Sequence, residues 1–423
     1  MRAPPEWFKT GLDHIWIPYA QMKTMPTPAP IASTHGTELI MPDGRRLIDG
    51  VGSWWTCVHG YNHPALLNAA TEQLKQMPHI MLGGIAHEQA YRLAARLAAL
   101  TPGDLSRVFF SESGSVSVEV AMKIAVQYWT NAHGQQRSKF VAFNGGYHGD
   151  TFATMSVCDP AEGMHKYFAG ALADQHMVDL PTTDIAYQTL DRLLTEDHSI
   201  AAILVEPLIQ GAGGMRMHSP AVLQALRQLC DAHGVLLIFD EIFTGFGRTG
   251  ELFAAQTAAV TPDIMTLGKA LTGGITPLAA TIASEQIYAA FHDDDESKAL
   301  MHGPTFTGHA VGCAVANASI DLFESEPRLQ QVRALESGLR EGLARLANDP
   351  RVDDVRVCGA VAAVETVADF DIHAARQWFI DEGVFIRPLG RVIYLSPSYT
   401  IEPGDLARLT DAICRFIETR PVS

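Results

Sequence analysis

Three short motifs carry residue types that could act together on a carbonyl compound. Asp240 ends the apolar run VLLIFD, and α/β proteins bind ligands at the carboxyl ends of such strands. Lys269 stands among small residues in TLGKALTGG, and a desolvated lysine can lose its proton and attack a carbonyl as a free amine. The segment Ser113-Gly114-Ser115 precedes a helical pattern, where backbone N–H groups and hydroxyls bind anions.

Together these motifs match the needs of pyridoxal phosphate (PLP). The lysine would bond the aldehyde, the carboxylate would keep the pyridine nitrogen protonated, and the serine turn would hold the phosphate. Tyr147 in NGGYHGD follows another apolar run and could stack on the ring. Each motif alone also has an ordinary explanation, as a helix cap or a surface charge. Their joint occurrence predicts a PLP site.

Apolar runs that alternate with amphipathic helices must position these residues. The pattern predicts helices at 64–77, 86–100, 115–131 and 219–233, and strands at 107–110, 139–143, 201–205, 235–239 and 264–267. This alternation is typical of an α/β fold, with a mostly parallel sheet covered by helices.

The two ends of the chain predict a second, smaller α/β domain. Helices are expected at 309–324, 327–347, 371–382 and 404–418, and strands near 354–366 and 392–396. We therefore predict a large domain over 56–306, and a small domain formed by 1–55 and 307–423.

Composition excludes several classes of protein. The 423 residues include 31 Lys and Arg against 47 Asp and Glu, a net charge of −16, which disfavours nucleic acid and anionic membranes as partners. Six scattered cysteines without a C-x-x-C pair predict reduced thiols and a cytoplasmic location. No signal peptide or membrane span is expected. In CVHGYNH and the proline that follows it, Gly60, Asn62 and Pro64 disfavour the helix that a histidine metal pair would need, so no metal is predicted.

A family resemblance extends these inferences. IFDEIFTGFGRTG followed by TLGKALTGG resembles the class III (omega-type) aminotransferases of PLP fold type I, including the spacing between Asp240 and Lys269. Over nearly the whole chain, segments such as HIWIPYAQM, GSWWTCVHGYNHP and MHGPTFTGHAVGCAVANAS resemble members of that family that act in biotin synthesis. The Trp54-Trp55 pair and Phe243 distinguish that branch.

The resemblance implies a role for each matching residue. Lys269, Asp240 and Tyr19 would be catalytic, with Lys269 holding PLP as a Schiff base. The implied cofactor-binding residues are Gly114, Ser115, Tyr147, Glu206, Asp240, Lys269, Pro304 and Thr305. The implied substrate-binding residues are Tyr19, Trp54, Tyr147, Lys269, Gly303 and Arg387, with Arg248, Asp150 and Tyr394 as further members. Pro304 and Thr305 would reach the phosphate of a neighbouring subunit, so a homodimer with shared active sites is expected. Arg387 would clasp the substrate carboxylate.

The implied reaction converts 8-amino-7-oxononanoate to 7,8-diaminononanoate, with S-adenosylmethionine as the usual amino donor and lysine in some members. Three alternatives remain open at this level. They are a class III enzyme acting on ornithine or a diamine, an aminomutase of the same fold, and an inactive PLP-fold regulator. The last is disfavoured because Lys269 and Asp240 are both intact and no DNA-binding segment is evident.

Overall fold

The computed structural model describes residues 5–160 and 165–419. These belong to two compact units, a central unit bounded by Pro64–Gln330 and a terminal unit bounded by Met1–His63 with Gln331–Ser423. The domain boundaries inferred from sequence stay a prediction. The ends of the predicted small domain, 1–4 and 420–423, lie outside the described residues.

The helices and strands follow in chain order. The helices are α1 (Glu6–Leu12), α2 (Gly52–Trp55), α3 (Pro64–Gln76), α4 (Glu88–Leu100), α5 (Gly114–His133), α6 (Phe152–Met155), α7 (Asp184–Glu196), α8 (Pro220–His233), α9 (Ala254–Ala258), α10 (Glu285–Ala289), α11 (Ala310–Ser325), α12 (Arg328–Leu343), α13 (Ile372–Asp381) and α14 (Pro403–Glu418). The strands are β1 (Ser33–His35), β2 (Glu38–Ile40), β3 (Arg46–Asp49), β4 (Leu105–Ser111), β5 (Lys139–Phe143), β6 (His176–Val178), β7 (Ile200–Val205), β8 (Ile209–Gln210), β9 (Arg216–Met217), β10 (Leu236–Asp240), β11 (Ile264–Leu267), β12 (Ala279–Ser284), β13 (Val352–Cys358), β14 (Val361–Thr366), β15 (Val384–Phe385) and β16 (Val392–Leu395).

A seven-stranded sheet organises the central unit. Its strand order is β4-β12-β11-β10-β7-β5-β6. Only β12 runs antiparallel to its neighbours. Every residue of β7, β10, β11 and β12 is buried, so both faces of the sheet are covered, as expected for parallel strands. The mostly parallel sheet predicted from sequence is confirmed.

Helix α5 carries the serine turn onto this sheet. Ser113 caps its start by accepting a hydrogen bond from the Val116 N–H at 3.3 Å, and Gly134 ends it with a left-handed φ of 64°. Its buried face packs on the strands, where Ile124 is almost fully buried. Each large apolar side chain buried there stabilises the fold by about 1.5–3 kcal/mol.

The terminal unit contains two small sheets, β1-β2-β3-β15 and β13-β14-β16. Strand β15 pairs in parallel with β3, so a segment near the C-terminus completes a sheet begun near the N-terminus. The strands predicted near 354–366 are β13 and β14, and Gly359, with a φ of 55°, turns the chain between them into a hairpin. None of the helices within 5–160 and 165–419 combines the length and apolar character needed to cross a membrane.

Candidate active site

Lys269 lies at the carboxyl end of β11 in a strained conformation. Its φ of 42° is in the left-handed region that side chains other than glycine rarely adopt, and such strain is concentrated at functional positions. Burial lowers the pKa of its amine, while the nearby carboxylates of Asp240 and Glu206 act in the opposite direction. A larger fraction of the amine is therefore uncharged at a given pH than in an exposed lysine.

Asp240 is the last residue of β10 and is buried. Its Oδ2 lies 2.8 Å from Nδ1 of the buried His148, and its Oδ1 accepts hydrogen bonds from the Thr266 hydroxyl and the Ile242 N–H, each at 3.2 Å. The carboxylate is thus fixed on both oxygens. The sequence missed His148, although its place directly after Tyr147 in NGGYHGD was a usable signal.

Glu206 follows β7 and supplies a second buried carboxylate. Its Oε1 accepts the Tyr147 N–H at 2.9 Å, and its Oε2 accepts the Gly211 N–H at 2.9 Å. Burial raises the pKa of the Glu206 carboxyl to about 7, and the charge of Asp240 adds to this while His148 opposes it. Glu206 thus joins the loop that presents Tyr147 to the segment at Gly211.

The serine turn forms the N-terminus of α5, where the first N–H groups have no acceptor within the helix. Ser115 Oγ accepts the Asp150 N–H at 3.1 Å. A side chain at Gly149 would bring a Cβ to 2.1 Å from this oxygen, so only glycine fits there. The turn is therefore held against the loop that follows Tyr147.

One side chain, Ile242, connects the three motifs. A Cβ on Gly114 would lie 3.0 Å from its Cδ1, and a Cβ on Gly268 would lie 3.4 Å from its Cγ2. Ile242 also donates its backbone N–H to Asp240. The serine turn, the strand-end carboxylate and the lysine loop thus converge, as the sequence predicts.

Other predicted residues of the central unit occupy separate loops. The Tyr147 ring stacks on His165 with centroids 6.1 Å apart, and His165 Nε2 lies 2.9 Å from Asp150 Oδ1. Gly303, Pro304 and Thr305 precede α11, and Thr305 is exposed. Arg248 is fully buried.

In the terminal unit, Tyr19, Trp54 and Arg387 lie together. The Arg387 guanidinium lies over the Trp54 ring at 4.8 Å from its centroid, and the Tyr19 ring meets Trp54 edge-on at 6.1 Å. Trp54 remains 40% exposed, so this aromatic and cationic surface is open to a ligand. Tyr394, in β16, packs its ring against Trp55 at 6.1 Å. We call Tyr19, Trp54 and Arg387 the arginine–tryptophan patch.

The segment that carries Trp54 is a left-handed helical turn. Gly52, Ser53, Trp54 and Trp55 have φ values of 54°, 47°, 54° and 74°, and backbone hydrogen bonds of 2.9 Å close the turn. Left-handed helix costs about 1–2 kcal/mol for each residue other than glycine. Contacts between the turn and the residues around it must therefore offset this cost.

No group of three or more His, Cys, Asp or Glu side chains in 5–160 and 165–419 is arranged to hold a metal ion. The His59 and His63 rings of the CVHGYNH motif lie 6.2 Å apart by centroid.

Comparison with known proteins assigns the family. The protein-family model described as aminotransferase class-III matches residues 19–417, almost the whole chain. The chain belongs to the class III aminotransferases. Enzymes of this class are PLP-dependent, and one solved relative, an amine transaminase from an uncultivated Pseudomonas species, was determined in its PLP-bound form.

Relatives of this aminotransferase cover nearly its full length. It is 42% identical to the adenosylmethionine-8-amino-7-oxononanoate aminotransferase of Buchnera aphidicola subsp. Schizaphis graminum, over 96% of this chain and 95% of that protein. It is also 42% identical to the enzyme of the same name from Mycobacterium leprae, over 95% and 94%.

Solved structures confirm the predicted fold class. The enzyme of that name from Methanocaldococcus jannaschii is 31% identical, with a TM-score of 0.92 over 97% of this chain and 98% of that chain. The Pseudomonas amine transaminase is also 31% identical, with a TM-score of 0.89 over 96% and 98%. The prediction that the chain is an aminotransferase of this class is therefore confirmed.

Proposed function

We propose that this aminotransferase transfers an amino group to 8-amino-7-oxononanoate, giving 7,8-diaminononanoate in biotin synthesis, with S-adenosylmethionine as the donor. One observation carries the substrate assignment. Relatives that bear this activity in their name are 41–42% identical to this chain over 95–96% of its length.

PLP is the cofactor that the central unit fits. The Lys269 amine would bond it, Asp240 would pair with its ring nitrogen, and the turn at Gly114 and Ser115 would bind its phosphate. The observation that supports this fit is the convergence of all three motifs on Ile242, where a Cβ at position 114 would lie only 3.0 Å from the Ile242 Cδ1. Tyr147 would stack on the ring, and Glu206 would hold the loop of Tyr147.

PLP, when bound, supplies an aldehyde carbon for the amino group and a ring that takes up carbanion electrons. Lys269 Nζ would then take the proton from the amine-bearing carbon of the donor and later deliver a proton to the former ketone carbon of the acceptor. Its lowered pKa favours the free amine that this requires. Asp240, fixed by His148 and Thr266, would keep the proton on the ring nitrogen.

The arginine–tryptophan patch would recognise the acceptor. A planar guanidinium binds a carboxylate through two parallel hydrogen bonds, and the Trp54 and Tyr19 rings offer broad apolar contact to an alkyl chain. Such a surface suits an enzyme that accepts two different substrates in turn, because ring faces impose little fixed polarity.

We also propose a homodimer in which Pro304 and Thr305 reach the partner's cofactor phosphate. The exposure of Thr305 on the loop before α11 supports this. A cytoplasmic location is proposed from the six free cysteines, five of them buried, since disulfides are rare in reducing compartments.

The test is direct. Purified holoenzyme is mixed with 8-amino-7-oxononanoate and either S-adenosylmethionine or lysine, and 7,8-diaminononanoate is measured by mass spectrometry. We expect the diamine with S-adenosylmethionine, and none from Lys269→Ala. Absence of the diamine with both donors would overturn the substrate assignment, and formation with lysine alone would overturn the donor.

A second candidate is an aminotransferase of the same class that acts on ornithine or another amine. The structural likeness to an amine transaminase, with a TM-score of 0.89, favours keeping it in the test. The loss of the visible absorbance of PLP bound to a lysine is followed with each donor. Rapid loss with ornithine, without loss with S-adenosylmethionine, would select this alternative.

A further inference from the structure

Asp49, at the end of β3, is a buried carboxylate that the sequence did not single out. Its Oδ1 accepts the N–H groups of Val51 and Gly52 at 2.8 and 3.1 Å. Its Oδ2 accepts the Ser53 N–H at 3.0 Å and the Tyr61 hydroxyl at 2.6 Å. Four donors therefore surround one carboxylate.

Three of these donors are the N–H groups at the start of the left-handed turn. The first N–H groups of a helical turn lack acceptors within it, and a buried N–H without an acceptor is strongly unfavourable. Asp49 supplies acceptors for three of them. Burial raises the pKa of its carboxyl, while the hydrogen bonds from Tyr61 and from these N–H groups act in the opposite direction, because they favour the ionised form. The carboxylate thereby offsets part of the strain of Ser53 and Trp54.

The turn is also fixed from its other side. The Ser396 N–H donates to the Gly50 oxygen at 2.7 Å, and a Cβ on Gly52 would lie 3.1 Å from the Ser396 oxygen. Ser53 Oγ lies 2.6 Å from the Tyr61 hydroxyl, and the same hydroxyl donates a hydrogen bond to Asp49. The backbone around Trp54 thus depends on one central carboxyl group.

We propose that Asp49 is a positioning residue for substrate: its carboxylate holds the left-handed turn that sets Trp54 under the Arg387 guanidinium, and so determines affinity for an acceptor that ends in a carboxylate. The inference rests on the proposed function for the nature of that acceptor. Asp49 bonds to the turn and to Tyr61, so it acts through Trp54.

Asp49→Asn tests this with little change of shape. An amide presents one acceptor oxygen, so its NH₂ group must face either the Ser53 N–H or those of Val51 and Gly52. We measure kcat/KM for 8-amino-7-oxononanoate and for its methyl ester, which lacks the negative charge. We expect about a tenfold loss for the acid, mainly in KM, and less than about threefold for the ester.

Matched variants separate positioning from general damage. Asp43→Asn, which removes the partner of Arg45 in the nearby turn, should leave the preference for acid over ester unchanged. Ser53→Gly added to Asp49→Asn should restore part of the preference, because glycine adopts left-handed φ without steric cost. If Asp49→Asn does not fold, Tyr61→Phe removes one bond to the carboxylate and should reduce the preference by about threefold.

A binding measurement makes the inference independent of turnover. The variants are titrated with nonanoate, read through the part of the tryptophan fluorescence that Trp54→Phe loses. Weaker nonanoate binding in Asp49→Asn, with wild-type affinity in Asp43→Asn, is the expected result. Equal losses for acid and ester, or unchanged nonanoate binding, would overturn the role of Asp49. Failure of the wild type to aminate the ketone would instead overturn the proposed function.

Discussion

The residues around Lys269 and the arginine–tryptophan patch are built in different ways. We call Lys269, Asp240 and the serine turn Ser113-Gly114-Ser115 the cradle. In the cradle, the Asp240 carboxylate ends β10, the Lys269 amine follows β11, and the serine turn begins α5. Both Asp240 oxygens have hydrogen-bond partners. In the patch, one guanidinium lies over Trp54, which a strained left-handed turn presents. Regular secondary structure positions the first, and local backbone strain positions the second.

Under the proposed function, this difference separates the residues that carry out the chemistry from those that recognise the substrate. The cradle uses features that any parallel sheet offers, because strand ends and helix N-termini meet at one edge. The patch uses a backbone conformation that few sequences adopt. If the patch binds the substrate as proposed, a change in the residues that support it would alter substrate affinity before it alters the reaction.

Lys269→Ala should have the largest effect and should abolish the chemistry. Without an amine at this position, no group of the cradle can bond the cofactor aldehyde or move the proton, and we expect kcat to fall by at least roughly 10³. Diamine formation under saturating substrate measures this. Lys75→Ala, which removes a surface lysine paired with Glu72, is the control. Residual activity within tenfold of wild type would show that the cradle is wrongly assigned.

Arg387→Ala should weaken recognition and spare chemistry. The acceptor carboxylate would lose a charged hydrogen-bond partner, and we expect KM for 8-amino-7-oxononanoate to rise about 100-fold, or about 2.7 kcal/mol. Steady-state kinetics with the acid and its methyl ester measure the change. Arg391→Ala is the control, since Arg391 lies beside Glu365 at 3.4 Å. An equal loss with the ester would break the distinction between the two regions.

Lys269→Met should stabilise the cofactor-free protein. The folded pKa of Lys269 lies below its ordinary value of 10.5 because of burial. Between the two values the unfolded chain binds more protons, so stability rises with pH across that window. At pH 7 the variant should gain about 1–3 kcal/mol in the free energy of unfolding, because it removes the cost of burying the ammonium group.

The gain from Lys269→Met should shrink as the pH approaches 10.5, and urea unfolding at several pH values measures it. Lys75→Met is the control, because that lysine is exposed. A loss of stability at pH 7 would mean that the cradle is not under electrostatic strain.

Ser53→Gly should give the smallest effect and reports on the strained turn. Glycine removes a left-handed cost of about 1–2 kcal/mol, and loss of the hydroxyl bond to Tyr61 subtracts about 1 kcal/mol. We expect a net gain of up to about 1 kcal/mol in the free energy of unfolding. Ser337→Gly within α12 should instead destabilise by about 1 kcal/mol. Destabilisation by both would argue against strain at Ser53.

Much of the central unit follows from sequence pattern. The apolar runs that became β5, β10 and β11 were long enough to be recognised, and their ends located Asp240 and Lys269. Strand β12 was missed because its sequence AATIAS lacks a run of large apolar residues, and its antiparallel pairing depends on neighbours distant in the chain. Helix α7 was also not predicted.

The sequence by itself determined the family, and it indicated the amine of Lys269, the carboxylate of Asp240 and the serine turn as candidate site groups, because each depends on residue type and on its place at the end of a local element. Only the tertiary structure decided that His148 contacts Asp240 and that Asp49 binds the backbone of the turn that contains Trp54. His148 and Asp240 are 92 positions apart, and left-handed φ at Ser53 and Trp54 runs against the preference of both residues. Long-range hydrogen bonds and strain arise from the packing of the whole chain, which no local pattern records.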